Sequence, residues 1–260
     1  MSGLLSGKTA IILGLANRWS IAYAIAQAFQ REGARLILTY QNERQQKTVE
    51  ELGAGVGAER IVACDVSKDE EIAALAAALQ ADGVKLDVVV HSIAFANPED
   101  LARPFVETSR AGFALAHDVS AYSLVAVSRA LSPLMTDGGA ILTLSYLGAV
   151  RVVENYNVMG VAKAALESSV RYLAANLGAS NIRVNAISAG PIKTAAARGI
   201  KDFSKVLGGV AALSPMKRNT DPAEVADTAV FLASALGRGV TGNVLYVDGG
   251  FHIMGLSAGA

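Results

Sequence analysis

Seven short apolar runs recur along the chain, at 9–13, 35–40, 60–64, 87–91, 140–145, 183–188 and 244–247. They are nearly continuous in apolar residues rather than alternating, which is the pattern of strands buried on both faces of a sheet. Longer segments with helical periodicity lie between them. Ile21, Ala24, Ile25, Ala28 and Phe29 repeat at helical spacing, with Ser20 placed as a cap and Gly33 where a helix stops. The same reasoning predicts helices over 112–131, 158–177 and 222–233. Strands alternating with helices imply a mostly parallel sheet with right-handed crossovers. The expected fold class is therefore α/β: a single-domain, doubly wound Rossmann fold spanning 1–260, about seven parallel strands with helices on both faces. One stretch breaks the regularity. The connection at 194–217 is long for an α/β domain, so it reads either as a segment covering a substrate or as one more surface helix pair.

Composition narrows the class. Hydrophobic residues make up 52% of 260, enough for a sizeable core. Lys plus Arg equals Asp plus Glu at 23 each, so no global field draws nucleic acid or an anionic membrane. The single cysteine, Cys64, excludes an intrachain disulfide and a cysteine metal cluster. His91, His117 and His252 fall on no metal-ligand spacing, so no metal is assigned. The N-terminal residues lack a basic leader and apolar run, and no uncharged stretch approaches the roughly 18 apolar residues of a span. The expected location is cytoplasmic, with no membrane partner.

Candidate chemistry gathers at the carboxyl ends of the predicted strands, where ligands of doubly wound sheets bind. After the first strand come Gly14, then Ser20 and Ile21 at a helix start, where free N–H groups and the helix dipole suit a pyrophosphate. The three-glycine fingerprint is absent, so this turn is equally a plain βα turn capped by Ser20. Gln41 stands after the second strand, where an acidic residue would normally hold the adenosine ribose. An amide there, with no basic pair following, favours NADH over NADPH. Asp65 and Val66 after the third strand suit the adenine; Asp65 also reads as a helix cap. Ser92 and Ile93 after the fourth would lie over the ribose.

Tyr156 and Lys163 lie seven residues apart, near two helical turns, so they share a face if the helix reaches back to Tyr156. Lys163 would hold the nicotinamide ribose, and Tyr156 would donate to an oxygen that becomes negative during hydride transfer. A buried tyrosine and a solvated lysine at helical spacing is the plainer alternative.

These residues carry a resemblance. Ser20-Ile21-Ala22-Tyr23, Thr39-Tyr40-Gln41-Asn42, Cys64-Asp65-Val66, His91-Ser92-Ile93, Leu144-Ser145-Tyr146-Leu147-Gly148-Ala149, Asn155-Tyr156-Asn157-Val158-Met159-Gly160, the run from Val184 to Ile192, and Val247-Asp248-Gly249-Gly250-Phe251 resemble the short-chain dehydrogenase/reductases, and within them the bacterial enoyl-acyl-carrier-protein reductases of fatty-acid synthesis. The likeness runs from Leu5 to about Ile253. An ordinary short-chain reductase has its tyrosine four residues before the lysine; here that position is Met159, and the tyrosine stands three residues further back. The resemblance thus implies hydride addition to the β-carbon of an enoyl thioester, with charge building on the thioester oxygen.

Several assignments follow from the resemblance. Tyr156, Lys163 and, secondarily, Tyr146 are expected to be catalytic. Ile192, Thr194, Ala195 and Ala196 are expected to join the cofactor site. Ala96, Tyr146, Tyr156, Met159, Ala196, Ile200 and Phe203 are expected along the acyl substrate. Lys201 and Lys205 could meet an acidic carrier protein. A homotetramer is implied. Two other readings remain: a ketoacyl or alcohol dehydrogenase of the same fold, against which Met159 argues, and a non-catalytic cofactor-binding regulator, which would commonly lack the Tyr or Lys.

Overall fold

The computed structural model describes residues 3–194 and 202–255. Seven parallel strands form one sheet: β1 (Thr9–Leu13), β2 (Arg35–Tyr40), β3 (Arg60–Ala63), β4 (Val88–His91), β5 (Gly139–Ser145), β6 (Ile182–Ala189) and β7 (Val244–Val247). Their order is β3-β2-β1-β4-β5-β6-β7. The order reverses between β1 and β4, which opens a crevice at their carboxyl ends.

Helices cover both faces. On one face α1 (Ile21–Arg31), α2 (Glu43–Gly55) and α9 (Pro222–Ala233) pack over Ile12, Leu36, Leu38 and Val90. On the other, α3 (Asp69–Ala81), α6 (Ser123–Leu131) and α7 (Asn157–Leu177) pack over Ile11, Val89, Ile141 and Val184. Neighbouring residues of one strand therefore belong to opposite cores, which is why the strands read as unbroken apolar runs. The edge strands β3 and β7 differ: their residues are only partly buried, because an edge has a neighbour on one side alone.

The predicted helix over 112–131 is corrected by the structure. It begins earlier, as α5 (Arg110–His117), and passes through a π turn at Asp118–Tyr122 before α6. In that wider turn Ser120 bonds both the N–H and the carbonyl of Phe95, at 2.9 and 3.0 Å. Ser123 closes back on the Val119 carbonyl and meets buried His91. These non-local partners, invisible to periodicity, accompany the interruption. A short α4 (Pro98–Ala102) precedes α5, and α8 (Phe203–Leu213) lies within the long connection.

Candidate active site

The switch-point crevice is a cavity of about 800 Å³. Gly14, Ser20, Ile21, Gln41, Asp65 and Val66 line one half of it, and Ser92, Ile93, Ala96, Tyr146, Tyr156, Met159, Lys163, Ile192, Thr194 and Phe203 the other. Ala195, Ala196, Ile200 and Lys201 lie outside the described residues. Phe95, Leu101, Leu115 and Val119 also line it and were not anticipated. They come from the loop after β4, α4, α5 and the π turn, whose sequences carry no motif.

In the first half the loops close tightly. Gly14 has φ +97°, and a Cβ there would stand 2.0 Å from the Ser92 carbonyl oxygen. Only glycine lets the loop after β1 approach the end of β4 so closely. Ser20 caps α1 by accepting from the Tyr23 N–H at 3.2 Å. Its own hydroxyl and N–H both donate to the Asn17 carbonyl. Ser20 therefore shapes the turn with both groups expected for phosphate, and the exposed helix start passes to the following amides, beginning with Ile21. Asp65 does not cap α3, whose first turn is preceded by Lys68. Its carboxylate instead accepts from the Ser67 N–H and hydroxyl, at 3.1 and 2.8 Å. Burial pulls its pKa up, but those bonds and one with the Gln41 side chain outweigh it and hold Asp65 below the usual carboxylate range. Gln41 and Asp65 thus face the cavity as a linked pair.

In the second half Tyr156 stands at the N-cap of α7, one residue before the helix rather than on its face. Asn155 and Asn157 on either side have φ +62° and +39°, conformations that asparagine tolerates better than most residues. The turn is held from a distance: the Asn157 amide donates to the carbonyls of Leu101 and Arg103, each at 2.8 Å. The Tyr156 ring lies against Gly148, where a Cβ would come within 2.4 Å of Cδ1. It meets the Tyr146 ring edge-on, centroids 4.9 Å apart.

Burial raises the Tyr156 hydroxyl pKa far above its usual value, with Tyr146 adding to the effect. Burial likewise pushes Tyr146 up to about 12, helped by Asp248. Both phenols are therefore neutral donors at neutral pH. Lys163 is not the solvated lysine of the plainer reading: it is 5% exposed and donates to the Leu144 carbonyl at 2.7 Å. Burial lowers its pKa to about 8, while Glu167 pulls the other way. It remains mostly an ammonium at neutral pH. The cavity accordingly has a polar end at the ends of β2 and β3, and at the other end a protonated phenol and a buried cation.

A parallel sheet reversing at β1/β4, with a glycine-closed loop there and a tyrosine and lysine in one cleft, defines the class of short-chain nicotinamide-dependent reductases. A family model described as enoyl-(acyl carrier protein) reductase matches residues 14–252. The enoyl-[acyl-carrier-protein] reductase [NADH] of Bacillus cereus is 52% identical over 254 residues, covering 97% of this chain and 99% of that protein. A crystal structure of the Bacillus cereus enoyl-acyl carrier protein reductase with NADP+ and indole naphthyridinone superposes with TM-score 0.96 at 51% identity, covering 98% of this chain and 100% of that one. The Anaplasma phagocytophilum reductase in complex with NAD gives TM-score 0.95 at 44% identity, covering 99% and 98%. The chain belongs to the enoyl-acyl-carrier-protein reductase family.

Proposed function

We propose that the chain performs its chemistry through Tyr156 and Lys163, reducing the carbon–carbon double bond of trans-2-enoyl-acyl-carrier-protein thioesters in fatty-acid biosynthesis. It is an NADH-dependent enoyl-acyl-carrier-protein reductase, as its relatives of about 50% identity are. NADH, when bound, supplies the hydride that the β-carbon accepts. The observation that carries the assignment of residues is the position of Tyr156. Met159 occupies the place four residues before Lys163, and Tyr156 reaches the cavity from the turn preceding α7. Its donor thus sits away from where a carbonyl reductase needs it, and suits an oxygen two atoms from the accepting carbon.

Tyr156, kept protonated by its burial, donates to the thioester oxygen as negative charge collects there. Tyr146 packs edge-on against it, fixing the ring and excluding water from the developing charge. Lys163 holds the nicotinamide ribose hydroxyls and adds a positive field behind Tyr156. Gly14 and the start of α1 take the pyrophosphate; Gln41, Asp65 and Val66 take the adenosine; Ser92, Ile93, Ile192 and Thr194 flank the nicotinamide half. Ala195 and Ala196 continue that stretch. Ala96, Met159 and Phe203 form the acyl wall, to which the family resemblance alone adds Ile200, so the segment 194–217 serves as the substrate cover. Support for this is the place of Phe203 on the cavity and the helix α8 that begins with it.

Carrier recognition uses Lys205 with Lys201. Lys205 is exposed and, among the described residues, pairs at 3.3 Å with the exposed Asp202, a contact of small worth that a carrier carboxylate could replace. We assign a homotetramer and a cytoplasmic location on the family resemblance. No helix among the described residues is long and apolar enough to cross a membrane. The assay that tests the reading follows NADH or NADPH oxidation with crotonyl and ketoacyl thioesters in parallel. Crotonyl reduction with NADH is expected; turnover of the ketoacyl thioester alone would replace it with the carbonyl-reductase reading.

A further inference from the structure

Two polar side chains of α7 dock on consecutive residues of β5. Lys163 Nζ donates to the Leu144 carbonyl at 2.7 Å, and the Ser145 hydroxyl donates to Glu167 Oε1 at 2.6 Å. Lys163 and Glu167 are four residues apart on the helix, so they share a face. Each is only 5% exposed. A carboxylate so buried is costly unless it is hydrogen-bonded and a positive charge lies nearby.

We infer that Glu167 is a positioning residue of the reductase: its buried carboxylate is the counter-charge of the Lys163 ammonium, and it fixes the end of β5 by taking the Ser145 hydroxyl. This rests on the reading of Lys163 as the ribose-holding cation.

Several groups surround the two side chains. On its own helix Glu167 feels Lys163 and Arg171, and β7 brings Tyr246 near it. From β5 comes Ser145. From β6 comes Ser188, in register with both Ser145 and Tyr246, whose buried hydroxyl has no partner among the described residues. On the far side Lys163 faces His91 of β4. Burial, with the Lys163 charge adding to it, lowers His91 to about 3, so the imidazole is neutral and repels nothing at working pH. Its nitrogens meet Thr143 and Ser123 instead. The Ser145 hydroxyl belongs to the cavity lining at the end of β5. Here it is spent on Glu167, which fits a reaction whose oxygen is served by Tyr156.

The electrostatics set the consequence. Burial already lowers Lys163 to about 8 with Glu167 pulling it up. Without that charge the ammonium loses its proton nearer neutrality. Burial raises Glu167, against the Ser145 bond and the charges of Arg171 and Lys163.

The test is NADH affinity measured by fluorescence titration from about pH 6 to about pH 10. In the unaltered enzyme binding weakens as pH rises through about 8. In Glu167→Gln, which keeps the shape, the midpoint falls by about one pH unit, and affinity on the alkaline limb drops about tenfold. The acid-side affinity stays near that of the unaltered enzyme. Glu167→Asp restores the midpoint in part. An unshifted midpoint in Glu167→Gln, with only the melting temperature lowered, reduces Glu167 to a packing role and overturns the inference. Should Glu167→Gln fail to fold, Ser145→Ala decides: loss of the donor favours protonated Glu167 and shifts the midpoint the same way by less, and no shift overturns the inference. Normal NADH affinity in Lys163→Ala would instead remove the ribose assignment, and this inference with it, separating the two failures.

Discussion

The two halves of the cavity are built differently. Around the adenosine end the contacts are local: Ser20 with Asn17 and Tyr23, Ser67 with Asp65, the Gln41 N–H with Gln45. Around the reacting end they join distant segments: Lys163 with Leu144, Ser145 with Glu167, Asn157 with Leu101 and Arg103, His91 with Thr143. The first half is a set of mostly local turns, joined by the Gln41–Asp65 bond and by the close approach of Gly14 to the end of β4. The second is a single assembly of β4, β5, α4, the π turn and α7, in which moving one part moves the others. Changes in the first half should therefore alter cofactor affinity alone, and changes in the second should reach turnover and pH response, with Lys163, which holds the ribose, bearing on cofactor affinity as well.

The sharpest test is Tyr156→Phe. It removes one donor to the developing oxyanion, so turnover should fall about 10²–10³-fold with NADH affinity nearly unchanged. Comparable loss of both would break the division of labour between the halves.

Lys163→Met should abolish most NADH affinity yet stabilise the fold. The amine titrates near 8 in the folded chain against its ordinary 10.5. The unfolded chain thus binds more protons between those values, and stability contributed by this group rises with pH across that window. Below about 8 the full penalty, about 3 kcal/mol, burdens the native enzyme. Methionine removes that penalty, offset by the lost bond to Leu144 and by the loss of the Lys163 charge beside the buried Glu167 carboxylate, and each net kcal/mol should raise Tm by about 2–4 °C. Thermal melts at neutral pH and near pH 10 check this: the stability gap between variant and native enzyme should narrow as pH rises.

Asn157→Ala cuts two bonds that hold the Tyr156 turn to the residues after α4. We expect kcat to fall about tenfold, equivalent to about 1.4 kcal/mol, with little change in NADH dissociation. An effect on NADH affinity alone would place Asn157 with the wrong half. The smallest effect belongs to Gln41→Asp. A carboxylate beside the adenosine ribose should weaken NADPH by several-fold through repulsion of the extra phosphate, leaving kcat with NADH unchanged.

Much of this molecule is written in short stretches of the chain. The seven strands are present within a residue or two of their expected bounds, because burial on both faces leaves the inner strands nearly continuous in apolar residues. Ser20 as a cap, Gly33 at a helix end and helix α9 over Pro222–Ala233 were equally legible, since capping chemistry is local. So were the cavity residues at strand ends, from Gly14 to Ile93. The spacing of Tyr156, Met159 and Lys163 distinguished this chain from an ordinary carbonyl reductase before any coordinates.

What the chain order could not reveal is whatever depends on partners far away in sequence. Periodicity made one helix of 112–131, whereas Ser120 and Ser123 find Phe95 and His91 across the fold and a π turn accompanies them. Spacing puts Tyr156 on the helix face of Lys163 only if the helix reaches back to it; instead Asn157 holds a turn there through the carbonyls of Leu101 and Arg103. Whether Lys163 was a solvated surface charge or a buried cation could not be read from its own helix. That was decided by burial against β5, which strips its water and leaves the Leu144 carbonyl to accept from it. Sequence fixes local conformation and the pattern of what must be buried; only the packed structure sets which polar groups lose water together, and so which of them become chemically useful.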